Sequence, residues 1–400
     1  MKISLIQPGR NNLKYLKWSY DSIRKNQGDH EVEICVADDA STDGTWDWCV
    51  EMMDKDSNFK ALKWDGPERV GHTILYDRLI NEVSTNDICM IYHADMYLCP
   101  DALDSIEKEL KEKTIVSLTR IEPPLHPDGP EKILRDFGVE PEEFKEDLLL
   151  NNLGSSDFTG PGLSKTTEGI FAPWAFYKKD FQEIGGHDPL YAPQSKEDSD
   201  IFNRFQLNGV KFIQTWEGFV YHMTCRGSRR NTVDKAKNIY EDSPEWLEQN
   251  QKSTRNFIRK WGHFVKHDPL MKPIIPPKYD IGFIVKNCND SLLYALEPWC
   301  STIYIEDKEQ VLTFDYFEKE KENTLYDLSR RVLPYDNEKN NEILVEIDGK
   351  TFNEEDWKIV IQLPEIIKDS GSVGRFQLNN IIIDIIQMNE YQNDLIKVKS

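Results

Sequence analysis

The sequence predicts an α/β protein built on a mostly parallel sheet with helices on both faces, followed by a small β-rich C-terminal domain. Over the first 120 residues, strand-type and helix-type hydrophobic patterns alternate. The apolar runs stop at polar clusters, Asp38-Asp39 and His93-Ala94-Asp95, as at the carboxyl ends of strands where such sheets bind ligands. Beyond the proline-rich stretch PLMKPIIPPK (269–278) the chain turns to short runs such as STIYIED and NEILVEIDG.

In chain order, Lys2–Gln7 is a short apolar strand, and Leu13, Leu16, Tyr20 and Ile23 have helical spacing. Val32, Ile34 and Val36 alternate as a strand ending at Asp38. Trp46, Cys49, Val50 and Met53 define one helix face. Phe59–Trp64 is a third strand, and Leu75, Leu79 and Val83 mark the next helix. Ile88–Tyr92 is a fourth strand, Leu103, Ile106 and Leu110 a helix after Pro100, and Thr114–Thr119 a fifth strand. From 121 the pattern breaks into a turn-rich stretch, an acidic helix within 131–149 and a long loop over 151–168, a candidate lid. Ile170–Tyr177 resumes the strands, and residues 231–265 are polar and helical.

Composition narrows the function. A formal charge of −21 and a pI near 4.9 exclude general nucleic-acid binding, which needs positive charge against phosphates. No apolar run approaches the roughly 18 to 20 residues that cross a bilayer, and Pro8 and Gly9 interrupt the N-terminus before a signal-type core forms. The seven cysteines contain no CxxC pair, so they read as reduced thiols in a cytoplasmic protein.

Two rival motifs fail on their own chemistry. Asp39, Ser41, Asp43 and Gly44 fit the start of an EF-hand loop, but its twelfth position is Val50 and a strand precedes it. A sugar-1-phosphate nucleotidyltransferase needs a G-x-G-x-R signature after the first strand, and QPGRNN stands there.

Ile6-Gln7-Pro8-Gly9-Arg10-Asn11, followed by Val36-Ala37-Asp38-Asp39-Ala40-Ser41-Thr42-Asp43-Gly44-Thr45, resembles the opening of a family-2 glycosyltransferase of the GT-A fold, a Rossmann-like nucleotide-diphospho-sugar transferase. His93-Ala94-Asp95 with Pro100 and Leu103 is similar to that family's D-x-D strand end, and Gly185-Gly186-His187 with Glu197-Asp198-Ser199-Asp200 to its GGF…EDxD segment, His187 standing where Phe is usual. The resemblance implies a nucleotide-sugar-dependent, hexosyltransferase-type enzyme. It makes Asp38 the partner of the base, with Pro8, Asn11 and Asp39 beside the nucleotide. Asp95 becomes a ligand of Mn2+ or Mg2+, and His93, in place of the first Asp, a contact to the nucleotide sugar. His222, at the end of FVYH, is implied as a further metal ligand, and Arg226 and Arg229 as neutralisers of the diphosphate. Asp198 is implied as the general base that deprotonates the acceptor hydroxyl, a glycan or other alcohol, giving inversion; Glu197 stands beside it.

FIRKWG (257–262) resembles the usual close of such catalytic domains. This gives a catalytic domain over 1–268, a linker over 269–278 and an accessory α+β domain over 279–400 of unassigned role. The non-enzymatic alternative is a decayed GT-A protein that binds glycan or serves as a scaffold.

Overall fold

The computed structural model describes residues 1–66, 68–155, 157–224 and 242–398. It divides into two units: Met1–Gln249 with His267–Ile274 and Lys397–Ser400, and Asn250–Lys266 with Ile275–Ile396.

The first unit runs β1 (Lys2–Gly9), α1 (Leu13–Asn26), β2 (Glu31–Asp38), α2 (Thr45–Lys55), β3 (Phe59–Lys63), α3 (His72–Arg78), β4 (Ile88–Ile91), β5 (Met96–Leu98), α4 (Ala102–Glu109) and β6 (Thr114–Glu122). It continues with β7 (Lys132–Leu134), α5 (Glu146–Asn152), β8 (Thr166–Thr167), β9 (Trp174–Tyr177), α6 (Lys178–Glu183), α7 (Glu197–Leu207) and β10 (Lys211–His222). The helix α8 (Pro244–Trp261) begins in this unit and carries residues of the second from Asn250 on. The sheet order is β3-β2-β1-β4-β9-β6-β10-β5, with β7 beside β6 and β8 beside β10. Strands β1 to β4 pair in parallel, as the alternation predicts, whereas β9 and β5 are antiparallel insertions. The central strands are buried along almost their whole length, as near-continuous apolar runs require in a sheet covered on both faces.

Three expectations shift. Helix α2 buries Thr45, Cys49 and Met52, and Val50 is 42% exposed, so its core face is rotated from the one the spacing suggests. Strand β6 continues past Thr119 to Glu122, carrying Arg120 and Glu122 along its line. The stretch 131–149 is a short strand, a turn and only the start of α5 rather than one acidic helix.

The second unit holds β11 (Ile281–Lys286), α9 (Asp290–Leu296), β12 (Thr302–Ile305), α10 (Val311–Glu320), β13 (Val332–Pro334), β14 (Ile343–Asp348), α11 (Glu354–Ile361), α12 (Leu363–Ser370), β15 (Gly374–Leu378) and β16 (Ile381–Ile385). Its six-stranded sheet, β13-β12-β11-β14-β16-β15, is parallel over the first four strands, so this unit is itself α/β. Glu297, fully buried, is held by Arg259 Nε at 2.9 Å, Tyr316 Oη at 2.7 Å and Arg331. No helix among the described residues is long and apolar enough to cross a membrane.

Helix α7 is bolted down by a fully buried ion pair. Arg204 Nε donates to Asp200 Oδ2 at 2.7 Å, and the same guanidinium donates to the carbonyls of Ile184 and Gly186 at 3.1 and 2.6 Å. Removing one partner of such a pair strands the other charge, which costs about 3–5 kcal/mol. Asp200→Ala should therefore lower the unfolding free energy in urea by about that amount; a loss as small as that of a surface ion pair rules out the anchoring role.

Candidate active site

A cavity of about 520 Å³ opens at the carboxyl ends of β1 and β4. Pro8, Gly9, Arg10 and Asn12 from the end of β1, and Asp39 from the end of β2, line one side. His93, Ala94 and Asp95 follow β4. Glu197 and Asp198 come from the first turn of α7, and His222 from the end of β10.

Sheet pairing explains how residues so distant in sequence meet. Strand β5 runs antiparallel to β10 with Met96 opposite His222, and the Met223 amide donates to the Asp95 carbonyl at 3.0 Å. Nitrogen and oxygen atoms of His93, Asp95 and His222 consequently all lie within 4.8 Å of one another. His222 Nε2 stands 3.4 Å from Asp95 Oδ1, longer than a strong charge-assisted hydrogen bond. Behind it, His222 Nδ1 is 2.9 Å from Glu122 Oε1. Glu122 is in turn paired with Arg120 at 2.8 Å and Lys132 at 3.3 Å. Burial opposes ionisation of Glu122, but Arg120, His222 and Lys132 hold its carboxyl far below the usual range. Burial likewise works against a charged His222, yet Asp95 and Glu122 hold it up at about 9. His93 is pushed down to about 3 by burial and by His222 beside it.

The carboxylate pair has the opposite environment. Ser195 and Lys196 both adopt left-handed backbone (φ 80° and 70°), a strained entry that turns Glu197 and Asp198 toward the cavity at the start of α7. Glu197 is buried, and its Oε2 has no partner. Burial raises both carboxyls, and the Asp198 charge adds to the effect on Glu197, which is pushed up to about 8.

Not every sequence candidate reaches the cavity wall. Asp39 lines it while accepting the Val70 and Gly71 amides at 2.8 and 2.9 Å. Asp38 lies buried outside the lining, with Oδ1 on the Ser41 amide at 3.1 Å and Oδ2 unpaired. Asn11 ties two loops together, its Oδ1 accepting the Thr42 amide at 2.7 Å. Arg226 and Arg229 lie outside the described residues. The cations that do line the cavity, Arg10, Arg69, Arg120 and Lys132, escaped the sequence reading, as did His72, Tyr76 and Glu122. For Arg120 and Glu122 a signal existed: they alternate with Thr119 and Ile121 and so share a face once the strand is allowed to continue.

The pocket thus lies at the carboxyl ends of the parallel strands of a mixed α/β sheet, the usual place for a ligand in such folds, with two imidazoles and a carboxylate beside a carboxyl pair. Residues 4–162 match the family model Glycosyl transferase family 2. The matched stretch contains Asp38, Asp39, His93 and Asp95; Glu197, Asp198 and His222 lie beyond it. No curated protein matches the chain. Among solved structures it is similar to the mannosyltransferase PcManGT from Pyrobaculum calidifontis in complex with GDP-Man and Mn2+ (16% identity, TM-score 0.39), over 55% of this chain and 56% of that one. It is similar also to S. aureus TarS 1-349 in complex with UDP-GlcNAc (16% identity, TM-score 0.39, over 64% and 67% of the two chains). A third is GalNAc-T7 with UDP, GalNAc and Mn2+ (13% identity, TM-score 0.45, 65% and 48%). The match thus spans little more than half of the mannosyltransferase and under half of GalNAc-T7.

The carboxyl pair has a stability signature. The folded chain holds the Glu197 proton to about pH 8, whereas an unfolded glutamate releases it near 4.3. Between those values the folded state binds more protons, so stability falls as pH rises. Glu197→Gln should therefore raise the melting temperature little at pH 4.5 and progressively more toward pH 8; a pH-independent difference contradicts the raised carboxyl.

Proposed function

We propose that the first unit transfers a sugar from a nucleotide-diphosphate donor to a hydroxyl acceptor with inversion, assisted by Mn2+ or Mg2+. The observation that carries this is the presence of the His93–Asp95–His222 cluster and the Glu197–Asp198 pair on one cavity, in a chain whose residues 4–162 match the family-2 model.

The cluster fits a divalent ion. Two imidazoles and a carboxylate suit Mn2+, and the 3.4 Å between His222 and Asp95 compares with roughly 3 Å between neighbouring ligands of an octahedral ion bonded at about 2.1 Å. Glu122 on the far nitrogen of His222 is the outer carboxylate that typically fixes a ligating imidazole. Asp95, His222 and His93 would hold such an ion, which would supply positive charge for the diphosphate oxygens of the leaving nucleotide. Arg10 and Arg69 add fixed cations on the cavity wall, and Arg226 and Arg229 are assigned to the same diphosphate. Asp38, through its unpaired Oδ2, and Pro8, Asn11 and Asp39 are assigned to the nucleotide side.

Two like charges in one apolar niche do not both ionise readily. Burial raises both carboxyls, and on this reading Glu197 carries the proton the pair retains while Asp198 serves as the base. Asp198 then takes the acceptor hydroxyl's proton as its oxygen bonds the anomeric carbon and the nucleotide diphosphate departs from the opposite face. Six described cysteines are free, which suits the reducing cytoplasm, and the resemblance assigns the catalytic domain to 1–268, although Asn250–Lys266 cluster with the second unit.

Thermal shift against a panel of nucleoside diphosphates, with and without Mn2+, should give a metal-dependent rise for one base that Asp95→Ala abolishes. Asp198→Asn should leave that shift intact and lower kcat by a factor of about 10² to 10⁴, with the anomeric configuration of the product read by NMR. No shift with any nucleotide defeats the proposal. Binding without turnover on any acceptor favours a glycan-binding protein on a transferase fold.

A further inference from the structure

Resting on this transferase reading, Tyr76 stands out as a cavity residue with no assigned task. It is 4% exposed yet lines the cavity, and its hydroxyl is not one of the fully enclosed polar atoms that lack a partner. A phenol on a cavity wall can donate its O–H to whatever occupies the cavity. The ring is rigidly backed. His187 stacks on it with ring centroids 5.4 Å apart and planes 27° apart. That imidazole is fully buried, its Nδ1 lies 2.7 Å from Asp77 Oδ1, and its backbone amide donates to both Asp77 oxygens at 3.1 Å. Phe181 meets the same imidazole edge-on at 5.4 Å.

The surroundings select the ligand's chemistry. Burial raises the Tyr76 phenol well above its ordinary range, and the charges of Asp198, Glu197 and Asp95 raise it further. The group is therefore a neutral O–H donor in a field of carboxylates. A phosphate oxygen placed there meets like charge; the hydroxyl oxygen of a neutral sugar does not.

We propose that the Tyr76 hydroxyl donates a hydrogen bond to a hydroxyl of the transferred sugar, between the Asp95 end of the cavity and the Asp198 base, and that His187, fixed by Asp77, is the positioning residue that aims it. Tyr76 then selects for the sugar, and leaves the nucleotide to other residues.

The test is calorimetric titration with Mn2+ of matched pairs, UDP against UDP-sugars and GDP against GDP-sugars, into wild type, Tyr76→Phe, His187→Ala and His187→Phe. Tyr76→Phe should keep the diphosphate affinity within twofold and weaken the matching nucleotide sugar roughly two- to tenfold, the worth of one neutral hydrogen bond. His187→Ala should reproduce that selective loss, and His187→Phe, which keeps a flat ring under Tyr76, should restore the sugar increment. If Tyr76→Phe weakens both members of the pair alike, or neither, the inference fails while the transferase reading stands. If His187→Ala leaves the increment intact, the positioning role fails. If wild type binds no pair at all, the transferase reading fails and takes this inference with it.

Discussion

The antiparallel pairing of β5 with β10 is the constraint on which the candidate site depends. It sets His222 opposite Met96 and so beside Asp95, while β6 pairs with the other edge of β10, Ile121 opposite Tyr221, and brings Glu122 to the same imidazole. Three strands thus deliver one polar residue each to a single point. Side chains alternate faces with a period of two, so a one-residue slip of β10 would turn His222 to the opposite face of the sheet. The register is held by the apolar residues between the polar ones. Tyr97, Tyr221 and Ile121 are all buried in one cluster with Phe137, Leu149 and Phe219.

Within one cavity the chain handles buried carboxylates in two ways. Glu122 is surrounded by Arg120, Lys132 and His222, and stays ionised; the guanidinium of Arg120 is itself packed 3.8 Å from the centre of the Phe171 ring. Glu197 has a second carboxylate where Glu122 has cations, and it holds a proton instead. Burying a charge is tolerable only when it is paired or neutralised, and each carboxyl satisfies that rule by a different route. On the proposed reading the two environments serve different ends: an ionised carboxylate suits the orientation of an imidazole, and a pair that shares a proton suits proton transfer.

Much of this was legible in the sequence, and the remainder was hidden for identifiable reasons. The strand–helix alternation to Thr119 was readable because fully buried parallel strands give unbroken apolar runs, and the polar ends Asp39 and His93-Ala94-Asp95 do reach the cavity. Strand β6 was cut short because Pro123 and Pro124 read as a turn, which concealed Arg120 and Glu122. The face of α2 was misjudged because Val50 satisfies helical spacing yet points outward. Tyr76 and His187 were invisible as a pair, since ring stacking between a helix and a distant turn leaves no periodic trace in either segment.

The Asp38-Asp39 pair shows why a motif and its function are not the same thing. Asp38 and Asp39 make different contacts because successive side chains at a strand end leave in different directions. Asp39 spends its oxygens on the amides of Val70 and Gly71, which fixes the segment entering α3. Gly71 has φ +84°, and a Cβ there would lie 2.1 Å from the Pro193 carbonyl oxygen, so only glycine permits this approach. The Thr73 amide then donates to that same carbonyl at 3.4 Å, and Pro193 leads directly to Ser195, Lys196 and the carboxylate pair. Asp39 therefore joins the end of β2 to the segment carrying Asp198, with Tyr76 on α3. Besides lining the cavity, Asp39 thus ties the end of β2 to the segment that enters α3.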